Sequence, residues 1–158
     1  MIKHLFNPSA AKISERTKVD RHYPYQTKIG DFVLITCRLL KMGIGAQINA
    51  GAKIVGGGNL IMGKNTVISY NSVILTGTDR LSKGMSDSSR PEDRIIVEGT
   101  TILEDDSYIG SGSVVMPKCI LRTGAVLGAS SYLPIGIIIP ENEFWLGQPA
   151  EFRSRRKR

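Results

Sequence analysis

A chain of 158 residues, 41% hydrophobic and 22% charged, has the length of one domain and a globular composition, which excludes a disordered chain. The net charge of +7 does not imply nucleic-acid binding, because Arg153-Ser154-Arg155-Arg156-Lys157-Arg158 carries five of those charges and leaves +2 on the body. No apolar run reaches the roughly 18 residues of a membrane span and Met1-Ile2-Lys3-His4 opens no signal sequence, so a cytoplasmic protein is expected.

Seventeen glycines beside only 6% aromatic residues imply many tight backbone corners. In chain order, residues 1–28 read as an N-terminal cap segment, with helix-compatible residues from the candidate cap Ser9 to Arg21 covering an open end. An irregular coil follows over 29–43, where Ile35 stands nine residues before Ile44.

A period of six then takes over. Gly45, Gly51, Gly57 and Gly63 follow Ile44, Ala50, Gly56 and Met62, and the frame continues through Ile68 and Ile74. It breaks over 78–94, a stretch with Gly84, Pro91 and balanced charge that reads as a protruding loop, either functional or merely solvated. It restarts with Val97, Leu103, Ile109, Val115, Leu121, Leu127 and Leu133. Four places after the first six of these stand the small residues Thr101, Ser107, Ser113, Cys119, Ala125 and Ser131.

Six matches neither the 3.6-residue helix nor simple strand alternation. It suits short straight segments joined by corners, three of which close an 18-residue triangular coil around stacked aliphatic residues. The expected coils are 44–61, 62–79, 97–114 and 115–132, within a solenoid spanning 29–133, and 134–158 form a C-terminal segment with a basic tail. Cys37 and Cys119 lie in apolar runs without metal-ligand spacing and read as buried thiols.

The in-phase frame, the loop and the closing Gly147-Gln148-Pro149-Ala150 resemble hexapeptide-repeat acyltransferases over roughly residues 29–153. The nearest types are bacterial sugar O-acetyltransferases of polysaccharide synthesis and the maltose and galactoside acetyltransferases. The resemblance implies an all-β, left-handed parallel β-helix, a homotrimer, and acetyl-CoA as acyl donor between neighbouring coils. The implied acceptor is a sugar or nucleotide-linked sugar, and no metal is required.

Residue by residue, Leu75-Thr76-Gly77-Thr78-Asp79 matches a stretch that ends in the family's catalytic histidine, so Asp79 stands in that place. Asp79 could be a base of raised pKa; the acceptor could be an amine needing little base; or the chain could be a silent trimeric scaffold. Asn71 matches an asparagine near the acceptor. Tyr108 matches a ring lining the channel, and Ser111 and Ala129 match positions beside the pantetheine arm. Arg153 and Arg155 are the tail residues best placed to grip coenzyme phosphates, the alternative being a basic end that only aids solubility. Trp145 is expected to pack the terminal segment onto a coil face. A γ-class carbonic anhydrase needs three metal-binding histidines, and the only two histidines, His4 and His22, precede the regular coils.

Overall fold

The computed structural model describes residues 11–21, 26–79 and 95–157. His4, the candidate cap Ser9, His22, the loop positions 80–94 and Arg158 lie outside the described residues. Within them the regular structure is all strand, mostly pieces of two to four residues.

The strands stack into three parallel sheets, one for each side of a triangular coil. The first side is built from Lys12–Ile13, Leu34–Ile35, Lys53–Val55, Val73–Leu75, Val114–Val115 and Tyr132–Leu133. The second side stacks Lys18–Arg21, Leu39–Met42, Asn59–Met62, Thr100–Leu103, Ile120–Leu121 and Ile138–Ile139. The third stacks Lys28–Ile29, Gln47–Ile48, Val67–Ile68, Tyr108–Ile109, Val126–Leu127 and Glu143–Gly147, and ends in Ala150–Arg155, folded back antiparallel. Each coil hydrogen-bonds the next, as where Gly110 N donates to Leu127 O at 2.8 Å, so the backbone is satisfied without helices.

The frame from Leu103 onward is as read. Leu103, Ile109, Val115, Leu121, Leu127 and Leu133 are fully buried, and the small residues Thr101, Ser107, Ser113, Cys119, Ala125 and Ser131 fill the space between them. Met62, Ile68 and Ile74 are also inward, but the extension back through Gly56, Ala50 and Ile44 is not. The inward residues there are Met42, Ile48, Ile54 and Leu60.

The two extra residues lie between the first and second sides, where the inward Ile54 and Leu60 stand six residues apart but their counterparts Val115 and Cys119 only four. That coil therefore takes twenty residues, from Gln47 to its partner Val67, against eighteen from Tyr108 to Val126. Ile35 and Leu40, five apart, add one residue at the same corner of the preceding coil. The expected coil limits shift accordingly, and Val97 leaves the solenoid altogether to pair antiparallel with Thr78. The helical cap read into Ser9 to Arg21 is likewise replaced. Lys12–Ile13 and Lys18–Arg21 are strands in parallel register with Leu34–Ile35 and Leu39–Met42.

Corners are turned by stacked left-handed residues. Between the third and first sides these are Phe32, Gly51, Asn71, Gly112 and Ser130; between the second and third they are Gly45, Asn65, Asp106, Gly124 and Asn142. Glycine, asparagine and aspartate tolerate that conformation best, which is why they recur in the sequence.

Where the first side meets the second, Gly56-Gly57-Gly58 passes beneath an antiparallel hairpin stem made by Gly77–Asp79 and Ile96–Glu98. A Cβ on Gly58 would overlap the backbone oxygens of Thr76 and Gly99, and one on Gly57 would meet the Glu98 carboxylate. Neither backbone oxygen can swing aside. Gly58→Ala should therefore destabilise by about 3 kcal/mol, the upper end of overpacking effects. Gly136→Ala, with nothing within 4 Å but a φ of +73°, should cost only the left-handed strain of roughly 1–2 kcal/mol. Thermal melts of the two variants check the difference.

Candidate functional site

Asp79 closes one arm of the hairpin stem, exposed and opposite Ile96 in the ladder. The stem is anchored at its base, where Arg38 Nη2 donates to Glu98 Oε2 at 3.2 Å. Asn71 sits at the other end of the strand Val73–Leu75, exposed at a left-handed corner, its N–H donating to Ala50 O at 3.1 Å. Asn71 and Asp79 thus flank one strand and do not hydrogen-bond to each other.

The third side carries a groove of about 570 Å³. Its floor is the outward row Val67, Tyr108, Val126 and Phe144, which pair in register on four successive coils. One rim is polar: Asn65 Nδ2 donates to Asp106 Oδ1 at 3.2 Å. The far end is closed by Ser154 and Arg156 of the terminal segment. Arg156 is fixed there, its N–H donating to Asn142 O at 2.7 Å and Nη1 to Gly124 O at 2.9 Å. Tyr108 therefore lies where a ring could line a channel.

Ser111 and Ala129 lie on the opposite edge of the same side, one coil apart and in the corner that also holds Asn71. Ser111 Oγ shares a 2.8 Å hydrogen bond with Ser69 Oγ, and its carbonyl accepts from Ser130 N. Gly110 lets the neighbouring coil come close, since a Cβ there would strike the backbone of Gly128 and Ala129. The Gly-Gln-Pro-Ala stretch forms the terminal turn, and Gln148 Nε2 ties it to this edge by donating to Ser130 O at 2.7 Å.

The tail is less free than its composition suggests. Arg155 Nη2 lies 3.2 Å from Glu143 Oε1, and Trp145 Nε1 donates to the other oxygen of Glu143 at 2.9 Å. Trp145 also packs against the core, which fixes the terminal hairpin. Arg153 is exposed on the same strand and, among the described residues, pairs with no carboxylate. Arg156 was not singled out by the sequence. Its contacts with Asn142 and with Gly124, 32 residues away, bring it to the groove, and no spacing rule could have found them.

Cys37 and Cys119 are fully buried, and burial pushes each thiol up to about 11. Neither is a thiolate nucleophile near neutral pH. Among the described residues no cluster of His, Cys, Asp or Glu could hold a metal ion. The groove thus offers an apolar floor with one exposed aromatic ring, a hydrogen-bonding rim and a cationic end, features suited to a long flexible ligand with an anionic terminus.

No protein-family model matches the chain. Among solved structures it superposes on an acetyl-CoA complex of a hexapeptide-repeat acetyltransferase from Vibrio cholerae with a TM-score of 0.69 at 17% identity, covering 90% of this chain and 74% of that one. A variant of the N-acyltransferase AntD from Bacillus cereus, in complex with dTDP and coenzyme A, gives 0.61 at 20% identity over 94% and 81%. Among characterised proteins, the δ-poly-L-ornithine synthetase of Acinetobacter baumannii is 31% identical over 81 residues, 49% of this chain and 6% of that protein. The mitochondrial γ carbonic anhydrase 2 of Arabidopsis thaliana is 32% identical over 57 residues, 36% of this chain and 20% of that protein. The chain thus matches only a small part of either characterised relative. The fold these observations define is the left-handed parallel β-helix of hexapeptide-repeat proteins.

Proposed function

We propose that the protein is an acyltransferase that moves an acetyl group from acetyl-CoA to a hydroxyl or amino group of a sugar, free or nucleotide-linked, in surface polysaccharide biosynthesis. It works in the cytoplasm as a homotrimer. The observation that carries the reading is the third-side groove, with Tyr108 on its floor and Arg156 at its end, on a solenoid that superposes over nine-tenths of its length on a coenzyme-bound acetyltransferase.

In the transfer, the acceptor oxygen or nitrogen bonds to the thioester carbonyl carbon, the carbon–sulfur bond breaks, and the acceptor's proton ends on the departing thiol. The chain's own residues divide this work. The groove floor holds the apolar pantetheine arm, Ser111 and Ala129 lie beside it, and Arg156 at the groove end together with Arg153 on the adjoining strand meets the phosphates, while Arg155, paired with Glu143, orders that strand. Asn71 holds an acceptor hydroxyl. Asp79 takes the proton of a hydroxyl acceptor; an amine acceptor keeps its own lone pair and needs no such help.

Asp79 and the groove occupy different sides of one chain, so a complete site needs the hairpin of one protomer beside the groove of another. Sedimentation equilibrium should give three times the 17.3 kDa chain mass. A stable monomer that still turns over acetyl-CoA would refute the shared site.

A further inference from the structure

Phe32 is the oddest residue of the solenoid. It turns a corner at φ +56°, where its counterparts on later coils are Gly51, Asn71, Gly112 and Ser130, all small or suited to that conformation. A bulky side chain there is strained. It is also 76% exposed, the most exposed of the large apolar residues among those described, so core packing does not account for it. Two unfavourable features with no structural return point to a ligand.

A second exposed ring stands on the same corner. Tyr70, 54% exposed, directly precedes Asn71, two coils beyond Phe32. The coil between them contributes only Ala50 and Gly51; Gly51 N donates to Asp31 O at 2.9 Å and Asn71 N to Ala50 O at 3.1 Å, which fixes the stacking order. At about 4.8 Å per coil, the two aromatic residues stand roughly 10 Å apart along the solenoid. That leaves room for one flat ring between two others. The floor is not bare, because the space a Cβ would fill on Gly51 is taken by the Asn71 side-chain oxygen.

The charges around this slot are mixed. Lys28 and Lys53, both exposed, flank it on the third and first sides, and among the described residues neither forms an ion pair. Asp31, also exposed, adjoins Phe32. Aromatic walls suit stacking, the amide and carboxylate suit the hydrogen-bonding edge of a base or a ribose hydroxyl, and the two ammonium groups suit phosphates.

We infer that the corner formed by Phe32, Gly51, Tyr70 and Asn71 binds the nucleoside diphosphate part of a nucleotide-linked acceptor, with its base between the two rings. This rests on the acyltransferase reading for the sugar, but the binding itself is measurable without it. The slot occupies the N-terminal coils of the corner whose later coils carry Ser111 and Ala129, across the third side from the groove's polar rim.

Calorimetric titration of the full chain with dTDP, UDP and methyl glucoside tests the slot, with acetyl-CoA titrated separately. The nucleotides should bind and the glycoside should not. Phe32→Gly and Tyr70→Ala should each weaken nucleotide binding at least tenfold while leaving acetyl-CoA affinity unchanged. Phe32→Gly should also melt at a temperature equal to or higher than the parent, because glycine relieves the left-handed strain. Phe152→Ala, an exposed ring elsewhere, should change nothing. Preserved nucleotide affinity in both ring variants, affinity for the glycoside alone, or loss of the trimer in Phe32→Gly would overturn the assignment. Failure of acetyl-CoA to bind, with nucleotide binding intact, would sink the acyltransferase reading and leave the slot standing.

Discussion

Leu127→Asp is expected to leave no cooperatively folded protein. Leu127 has no exposed surface; it lies on the third side between Ile109 and Trp145 of adjacent coils, within the apolar core. Removing its side chain alone costs about 2–5 kcal/mol. An aspartate placed there has no cation to pair with and must either bury a charge or take up a proton, adding several kcal/mol more. A domain of this size has only about 5–15 kcal/mol in total. Circular dichroism should show the strand signal lost, and sedimentation should show aggregate. The same substitution at exposed Lys118, a left-handed corner where aspartate is tolerated, should leave a folded protein. Equal tolerance at both positions would mean that the inward frame is misassigned.

That frame was legible because six-residue spacing of Val, Ile and Leu has one physical solution, and from Leu103 to Leu133 nothing disturbs it. Upstream the same spacing misleads. Gly45 and Gly51 are in phase because corners repeat, whereas the two residues added between Ile54 and Leu60 leave Gly57 and Gly63 in the same six-residue phase. Strands as short as Lys12–Ile13 carry too little pattern to be told from a helix turn, so the first coil was hidden. The triple glycine 56–58 is explained only by the hairpin stem that crosses it. The candidate site was legible in part. The placement of Tyr108 on the groove floor and of Asn71, Ser111 and Ala129 on one edge follows from the frame, which fixes corner and strand positions but not roles. The partners of Arg155 and Arg156 depend on where the chain returns after Gly147, which the repeat does not encode.

Asp79→Asn should lower turnover of a hydroxyl acceptor by about 10²–10⁴-fold, the range for losing a general base, with little change in acetyl-CoA affinity. The exchange keeps size and polarity, and the stem should survive it, since Asp79 enters the ladder through its backbone opposite Ile96. With an amine acceptor the same variant should keep most of its activity, and the rate should rise with pH as the substrate amine deprotonates. The two acceptor classes are thus separated by one substitution. Full turnover of a hydroxyl acceptor in Asp79→Asn would remove Asp79 from the mechanism.

The most direct measurement is transfer of labelled acetyl from acetyl-CoA by the unmodified protein, screened across nucleotide-linked sugars, amino sugars and lipid-linked oligosaccharides. At least one should acquire one acetyl group per molecule, with one equivalent of free coenzyme A thiol released for each group transferred. Tight acetyl-CoA binding without transfer to any acceptor would contradict the acyltransferase reading and make the chain a silent scaffold.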